Sequence, residues 1–166
     1  MTQRIVIMGV AGSGKSAVGA ALSRLTGLPY RDGDDLHPEA NIAKMRAGTP
    51  LNDADRAPWL DRVAAVLRDE APLIVGCSAL KRAYRDRIRA GAGKGVVFVF
   101  LKGERALIEV RMARRTGHFM PVTLLDSQFA ALEPPGPEEA AVAVSIDGTP
   151  EEVAREVERR LAERSG

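Results

Sequence analysis

The sequence holds one cysteine, Cys77, two histidines, His37 and His118, and 4% aromatic residues in 166 positions. A lone cysteine excludes an intrachain disulfide and fits a reducing compartment, so a cytoplasmic location is expected. Two histidines and one thiol leave no Cys/His cluster of the kind a structural zinc needs. Scarce aromatics leave few platforms on which single-stranded nucleic acid could stack. Excess charge of one sign is lacking too: 24 basic residues face 22 acidic ones, too balanced for a general nucleic-acid coat. No apolar run reaches the roughly 18 residues of a membrane span. The run Ile5–Met8 after Arg4 stops at Gly9, shorter than the roughly 7–15 residues of a signal-peptide core, so residue 1 is read as the start of the mature domain.

What is present describes one globular domain over residues 1–166, with 45% hydrophobic and 28% charged residues. A chain of this size buries about 70% of its unfolded surface, enough for a core without staples. Short apolar runs alternate with helical stretches. Strands are expected at Arg4–Met8, Pro29–Asp32, Leu73–Gly76, Gly95–Leu101 and Ala141–Ile146. Helices are expected from Lys15 to about Leu25, and over Pro38–Ala47, Asp53–Glu70, Leu80–Ala90, Glu104–Arg115 and Val122–Leu132. A terminal helix opens on Thr149 with Glu152 at capping-box spacing. Strands apolar on both faces and separated by helices imply an α/β fold, a parallel sheet covered on two sides. Right-handed crossovers then place chemistry just after Met8, Tyr30, Gly76 and Leu101.

The segment Gly9-Val10-Ala11-Gly12-Ser13-Gly14-Lys15-Ser16 matches G-x-x-x-x-G-K-S/T in full, between a strand and a helix. Its glycines let backbone N–H groups converge on an anion at a helix N-terminus. Lys15 then reaches the β- and γ-phosphates and the Ser16 hydroxyl ligates Mg²⁺. Asp32-Gly33-Asp34 follows the second strand; read as extended, its two carboxylates point the same way. One would hold magnesium through water and the other would accept a proton from an acceptor hydroxyl. Asn41 and Lys44 share a helix face, as do Lys81 and Arg85. Trp59 reads as core and Cys77 as a buried small hydrophobe. Arg111, Arg114 and Arg115 fit either a helix C-terminus or a lid, at about 114–124, that closes over phosphates. The basic run Lys81–Arg89 keeps a nucleic-acid-binding module open as an alternative.

Beyond the phosphate loop, the sequence resembles the gluconokinase family, small ATP-dependent kinases of the P-loop group that also contains shikimate kinase. The resemblance rests on Asp32-Gly33-Asp34 with Leu36-His37-Pro38, on Asn41-Ile42 with Lys44-Met45, and on the block Pro50-Leu51-Asn52-Asp53 with Asp55-Arg56 and Pro58-Trp59-Leu60. It continues through Cys77-Ser78-Ala79-Leu80-Lys81, Tyr84-Arg85-Asp86, Leu101-Lys102-Gly103 and Gly117-His118-Phe119. It implies a P-loop kinase sheet of five strands in the order 2-3-1-4-5 with helices on both faces and a small lid. It implies ATP as co-substrate, Mg²⁺, transfer to the 6-hydroxyl of D-gluconate, and a homodimer without nucleic-acid or membrane partners. By the same resemblance Gly9, Val10, Ala11, Gly12, Ser13, Gly14, Lys15, Ser16 and Ala17 hold the nucleotide with Arg111, Asp147 and Pro150. Asp34 is the base; His37, Asn41, Lys44, Arg56, Lys81, Arg85 and Gln128 face the acceptor; Lys15, Arg114 and Arg115 serve the transferring group. Ser16 touches the metal directly, and Asp32 and Asp34 reach it through water. A kinase for another hydroxy acid, such as shikimate, is the alternative enzyme.

Overall fold

The computed structural model describes residues 3–93, 95–113 and 122–165. Most of the expected lid, and with it Arg114, Arg115 and His118, lies outside the described residues. The strands are β1 (Arg4–Met8), β2 (Tyr30–Asp32), β3 (Leu73–Gly76), β4 (Val96–Lys102) and β5 (Ala141–Ser145). The helices are α1 (Lys15–Thr26), α2 (Glu39–Arg46), α3 (Asp53–Asp69), α4 (Arg82–Ala92), α5 (Arg105–Ala113), α6 (Val122–Ala131) and α7 (Pro150–Ser165). All neighbouring strands pair in parallel, in the order β2-β3-β1-β4-β5. This is the expected sheet.

Successive residues of a strand point to opposite faces, which explains why β1 is apolar from Ile5 to Met8. Ile5 and Ile7 enter a core layer with Leu22, Val99, Val142 and Val157, while Val6 and Met8 enter the other with Trp59, Leu60, Tyr84 and Phe98. The helix ends follow from local chemistry. Gly14 sits in the left-handed region (φ 94°) and turns the loop into α1. Asn52 and Asp55 form a reciprocal capping box at the start of α3, and Thr149 and Glu152 do the same for α7.

One local expectation fails. Gly33–Leu36 is a 3-10 turn rather than extended chain, because the Asp32 carboxylate accepts the Asp34 N–H at 2.9 Å and caps it. A Cβ on Gly33 would lie 2.5 Å from the Gly76 carbonyl oxygen, so only glycine lets the turn press against the end of β3. Asp32 and Asp34 therefore share a capped turn beside β3 rather than one face of a strand. Among the described residues no helix is long and apolar enough to cross a membrane.

Candidate active site

The loop after β1 is the first wall. The Lys15 ammonium donates to the carbonyls of Gly9 (3.0 Å) and Val10 (3.2 Å), which folds it over the loop. Ser13 is buried and its hydroxyl has no hydrogen-bond partner among the described residues. Gln128, expected on the acceptor side, is found elsewhere: its side-chain oxygen accepts the Ala11 N–H, so α6 is fastened to the phosphate loop. Beside the loop, Gly12, Ala17, Arg111, Ile146, Gly148 and Pro150 are among the residues lining a cavity of about 270 Å³. Arg111 donates to the Ile146 carbonyl at 2.7 Å and the Gly148 carbonyl at 3.3 Å, tying α5 to the turn after β5. In that turn Asp147 accepts a bond from the Ser145 hydroxyl.

The second wall begins at the turn after β2. Burial pushes the Asp34 carboxyl above the ordinary aspartate range, Asp32 adds to the shift, and the positive charge of Lys15 opposes it. Asp34 and the phosphate-loop lysine thus lie in one electrostatic environment. The Tyr30 phenol, pushed up to about 12 mainly by burial, has the Ser16 hydroxyl and Asp32 among its near neighbours. Ser16, Asp32 and Asp34 make an all-oxygen donor set, the chemistry that suits a hard divalent cation keeping several waters. Among the described residues no cluster of three or more His, Cys, Asp or Glu forms a dedicated metal cage.

A cluster of polar side chains gathers beside these groups. His37 stacks on Trp59 with ring centroids 4.2 Å apart, and the Trp59 indole N–H donates to the Gly33 carbonyl at 2.7 Å. Trp59 is therefore core, as expected, and also a brace for the turn carrying Asp34. The Asn41 amide donates to the Asp55 carbonyl (2.9 Å) and lies 3.1 Å from His37 Nδ1. With that amide donating, Nδ1 accepts and the ring proton sits on Nε2. Burial holds the imidazole pKa below its usual value; Asp34 opposes this and Arg56 reinforces it. Lys44 binds both oxygens of Asp55 at 2.9 and 2.8 Å. Arg56 donates to the Tyr84 hydroxyl at 3.3 Å, and Lys81 stands 3.9 Å from Asp53.

Arg85 departs from its expected place. It is fully buried, pairs with both oxygens of Glu139, and spends its remaining donors on the carbonyls of Ala79, Leu80 and Glu133. It secures α4 to the loop before β5 and takes no part in the cluster around His37 and Asn41. The rest of the basic run is also matched by carboxylates: Arg82 with Glu138, Arg87 with Asp61, Arg89 with Asp86 and Glu139. A stripe committed in this way is a poor phosphate-backbone surface, which weighs against the nucleic-acid alternative. Cys77 is buried, with its thiol pushed up to about 12, and is no nucleophile. Missed in the sequence were roles for Tyr84, Asp53 and Asp55; the Asn52-to-Asp55 capping spacing was the available signal for the last.

A parallel 2-3-1-4-5 sheet with a phosphate loop after β1 and a capped turn bearing Asp32 and Asp34 after β2 defines a P-loop small-molecule kinase. Shikimate kinase from Aquifex aeolicus, at 18% identity, shares that fold with a TM-score of 0.64 over 98% of each chain. No family model matches the chain. It is 43% identical over 161 residues to the gluconokinase of Gluconobacter oxydans, covering 95% of this chain and 90% of that protein. It is 47% identical over 150 residues to the thermosensitive gluconokinase of Escherichia coli, covering 87% and 79%. The solved structure of a gluconokinase from Sinorhizobium meliloti superposes with a TM-score of 0.89 at 48% identity, covering 98% of this chain and 94% of that one. The chain belongs to the gluconokinase family.

Proposed function

We propose that the chain phosphorylates D-gluconate on its 6-hydroxyl with ATP, giving 6-phospho-D-gluconate and ADP by direct in-line transfer. The observation that carries this is the Asp34 carboxyl within the field of both Lys15 and His37, His37 itself belonging to a polar cluster with Asn41, Lys44 and Arg56. Phosphoryl transfer is mostly positioning and charge stabilisation. Lys15 leaves the loop carbonyls to meet the β- and γ-phosphates. Asp34 orients the 6-hydroxyl and takes its proton as the new P–O bond forms and the bond to the ADP oxygen breaks. Mg²⁺, held by Ser16 directly and by Asp32 and Asp34 through water, would neutralise charge on the phosphates.

His37 matters as a neutral group. Its Nε2–H is left to donate toward a polyol oxygen, while Asn41 fixes Nδ1. The test is a coupled assay of ADP release across gluconate, other aldonates, shikimate and nucleoside monophosphates, with the product's phosphorylated carbon assigned by NMR. Gluconate-dependent turnover with phosphate on C6 is expected. Turnover on shikimate or a nucleotide with none on gluconate would overturn the reading.

A further inference from the structure

We propose that Asp53 is an internal counter-ion occupying the acceptor's anion site, and that it thereby sets which acceptors the site takes. The proposal rests on the gluconate reading for the identity of the acceptor, but its geometry stands independently. Three groups from two helices and the residue that precedes the second converge on one carboxylate. The Tyr84 hydroxyl donates to Asp53 Oδ1 at 2.6 Å. The Arg56 guanidinium lies 3.8 Å from the same oxygen and the Lys81 ammonium 3.9 Å. Both cations also stand 5.6 Å from the Tyr84 ring centroid, so the phenol gathers them as well as the carboxylate. Two cations and a hydroxyl donor around one carboxylate oxygen is the arrangement a protein makes for a carboxylate ligand. Here the protein supplies the carboxylate itself.

Exposure gives the direction of exchange. The Asp53 side chain is 70% exposed, against 32% for Arg56 and 37% for Lys81, so the anion is on the solvent side and the cations are behind it. Two residues on, Asp55 is committed differently: it holds Lys44 and caps the Asn52 N–H of the α3 start. Among the described residues Asp53 has no such backbone duty. A pair this exposed contributes little to stability, which leaves selectivity as its physical consequence. A carboxylate acceptor that reaches Arg56 and Lys81 replaces Asp53 one charge for one. A neutral sugar cannot make that exchange and finds the cations taken. A phosphorylated sugar acid, carrying extra negative charge, meets the Asp53 repulsion more strongly and leaves sooner. Specificity then comes from a built-in competitor as well as from attraction.

The experiment is calorimetric binding to wild type, Asp53→Asn and Asp53→Glu, with ADP saturating the phosphate loop. The ligands are gluconate, 6-phosphogluconate, sorbitol as a neutral polyol, and inorganic sulfate as an anion probe. Asparagine keeps the shape and an acceptor for Tyr84 while removing the charge. Asp53→Asn is expected to tighten gluconate roughly 3- to 10-fold and the phosphorylated acid and sulfate at least as much, with sorbitol unchanged and Asp53→Glu near wild type. Raised salt should shrink the difference. Weaker gluconate binding in Asp53→Asn would make Asp53 a direct acceptor ligand and overturn the proposal. Anion affinities within twofold of wild type would overturn it too. If wild type fails to bind gluconate, the proposed function falls, while the sulfate arm still decides the role of Asp53. Should Asp53→Asn melt below the assay temperature, Asp53→Ala is read by the same criteria.

Discussion

A Cβ built on Gly76 would lie 2.2 Å from the Tyr30 hydroxyl oxygen, so the phenol fills the space of a side chain at the end of β3. The ring is equally close to α1, where a Cβ on Gly19 would stand 2.2 Å from its Cε1. Two glycines on neighbouring elements therefore form the slot that lets the edge strand β2 seat its first residue. Asp32, at the other end of that strand, pairs in register with Gly76. The seating of Tyr30 thus fixes the height of the turn that carries Asp34.

Gly76→Ala is expected to destabilise the fold by about 1–3 kcal/mol, the usual range for overpacking a full site. Tyr30→Phe removes only the offending oxygen, one that is buried without a hydrogen-bond partner among the described residues. The alanine should then cost under about 1 kcal/mol when introduced together with Tyr30→Phe, a coupling that marks direct contact. Urea unfolding of the two single variants and the double variant measures it. Additive effects would show that the ring and position 76 do not meet.

Arg85 and Glu139 make a second prediction. Their side chains are 0% and 2% exposed, and Glu139 accepts from Arg85, Arg89 and the Gly136 N–H. Hydrogen bonding from Arg85 is the main reason the Glu139 carboxyl sits at about 2 rather than the usual 4.5. Because the folded value is the lower one, the stabilisation is present above the unfolded value and is lost as pH falls from about 4.5 toward 2. Arg85→Met takes the main partner from a buried carboxylate, which keeps only Arg89 and the Gly136 N–H, and strips the Ala79, Leu80 and Glu133 carbonyls of their donor, so it should cost about 3–5 kcal/mol. The KM for the acceptor should stay near wild type in the enzyme that remains folded, because every Arg85 donor is spent on Glu139 and on backbone carbonyls. Urea melts and steady-state kinetics on one preparation check both halves.

The parts legible in the sequence were those whose causes are local. The phosphate loop, its flanking strand and helix, and the caps at Asn52 and Thr149 are each specified within a few residues. The sheet order came with the family resemblance. What could not be read depended on partners far along the chain. Glu139 is 54 residues from Arg85, and Gln128 is 117 residues from the Ala11 amide it binds. Charge spacing puts Lys81 and Arg85 on one helix face, yet Lys81 falls just before α4 and stands by Asp53 and Tyr84, while Arg85 is sent into the interior. The turn at Asp32–Asp34 was misread for a subtler reason. Its conformation is set by a side-chain cap that competes with extended backbone, and alternation alone cannot see that competition.

Asp34 gives the sharpest kinetic test. In its proposed role as base it must be ionised to receive the proton of the acceptor hydroxyl. Burial and the neighbouring Asp32 raise its pKa from the ordinary 3.8, with Lys15 opposing. The acid limb of kcat/KM should therefore fall at a pH above that of an unperturbed aspartate, and activity is lost as pH drops through it. Asp34→Asn should lower kcat by about 10²-fold or more and abolish that limb, while calorimetric binding of ATP survives, because the loop from Gly9 to Ser16 is untouched. Lys15→Ala is the contrasting control, since it should weaken nucleotide binding and turnover together. His37 separates from both: its pKa is held below 6.5, so its protonation adds a separate loss as pH falls, one that persists in Asp34→Asn as weakened acceptor binding and moves to lower pH there because Asp34 no longer supports the imidazolium. An unchanged pH profile with near-normal turnover in Asp34→Asn would remove Asp34 from the chemistry and leave the turn after β2 as scaffolding.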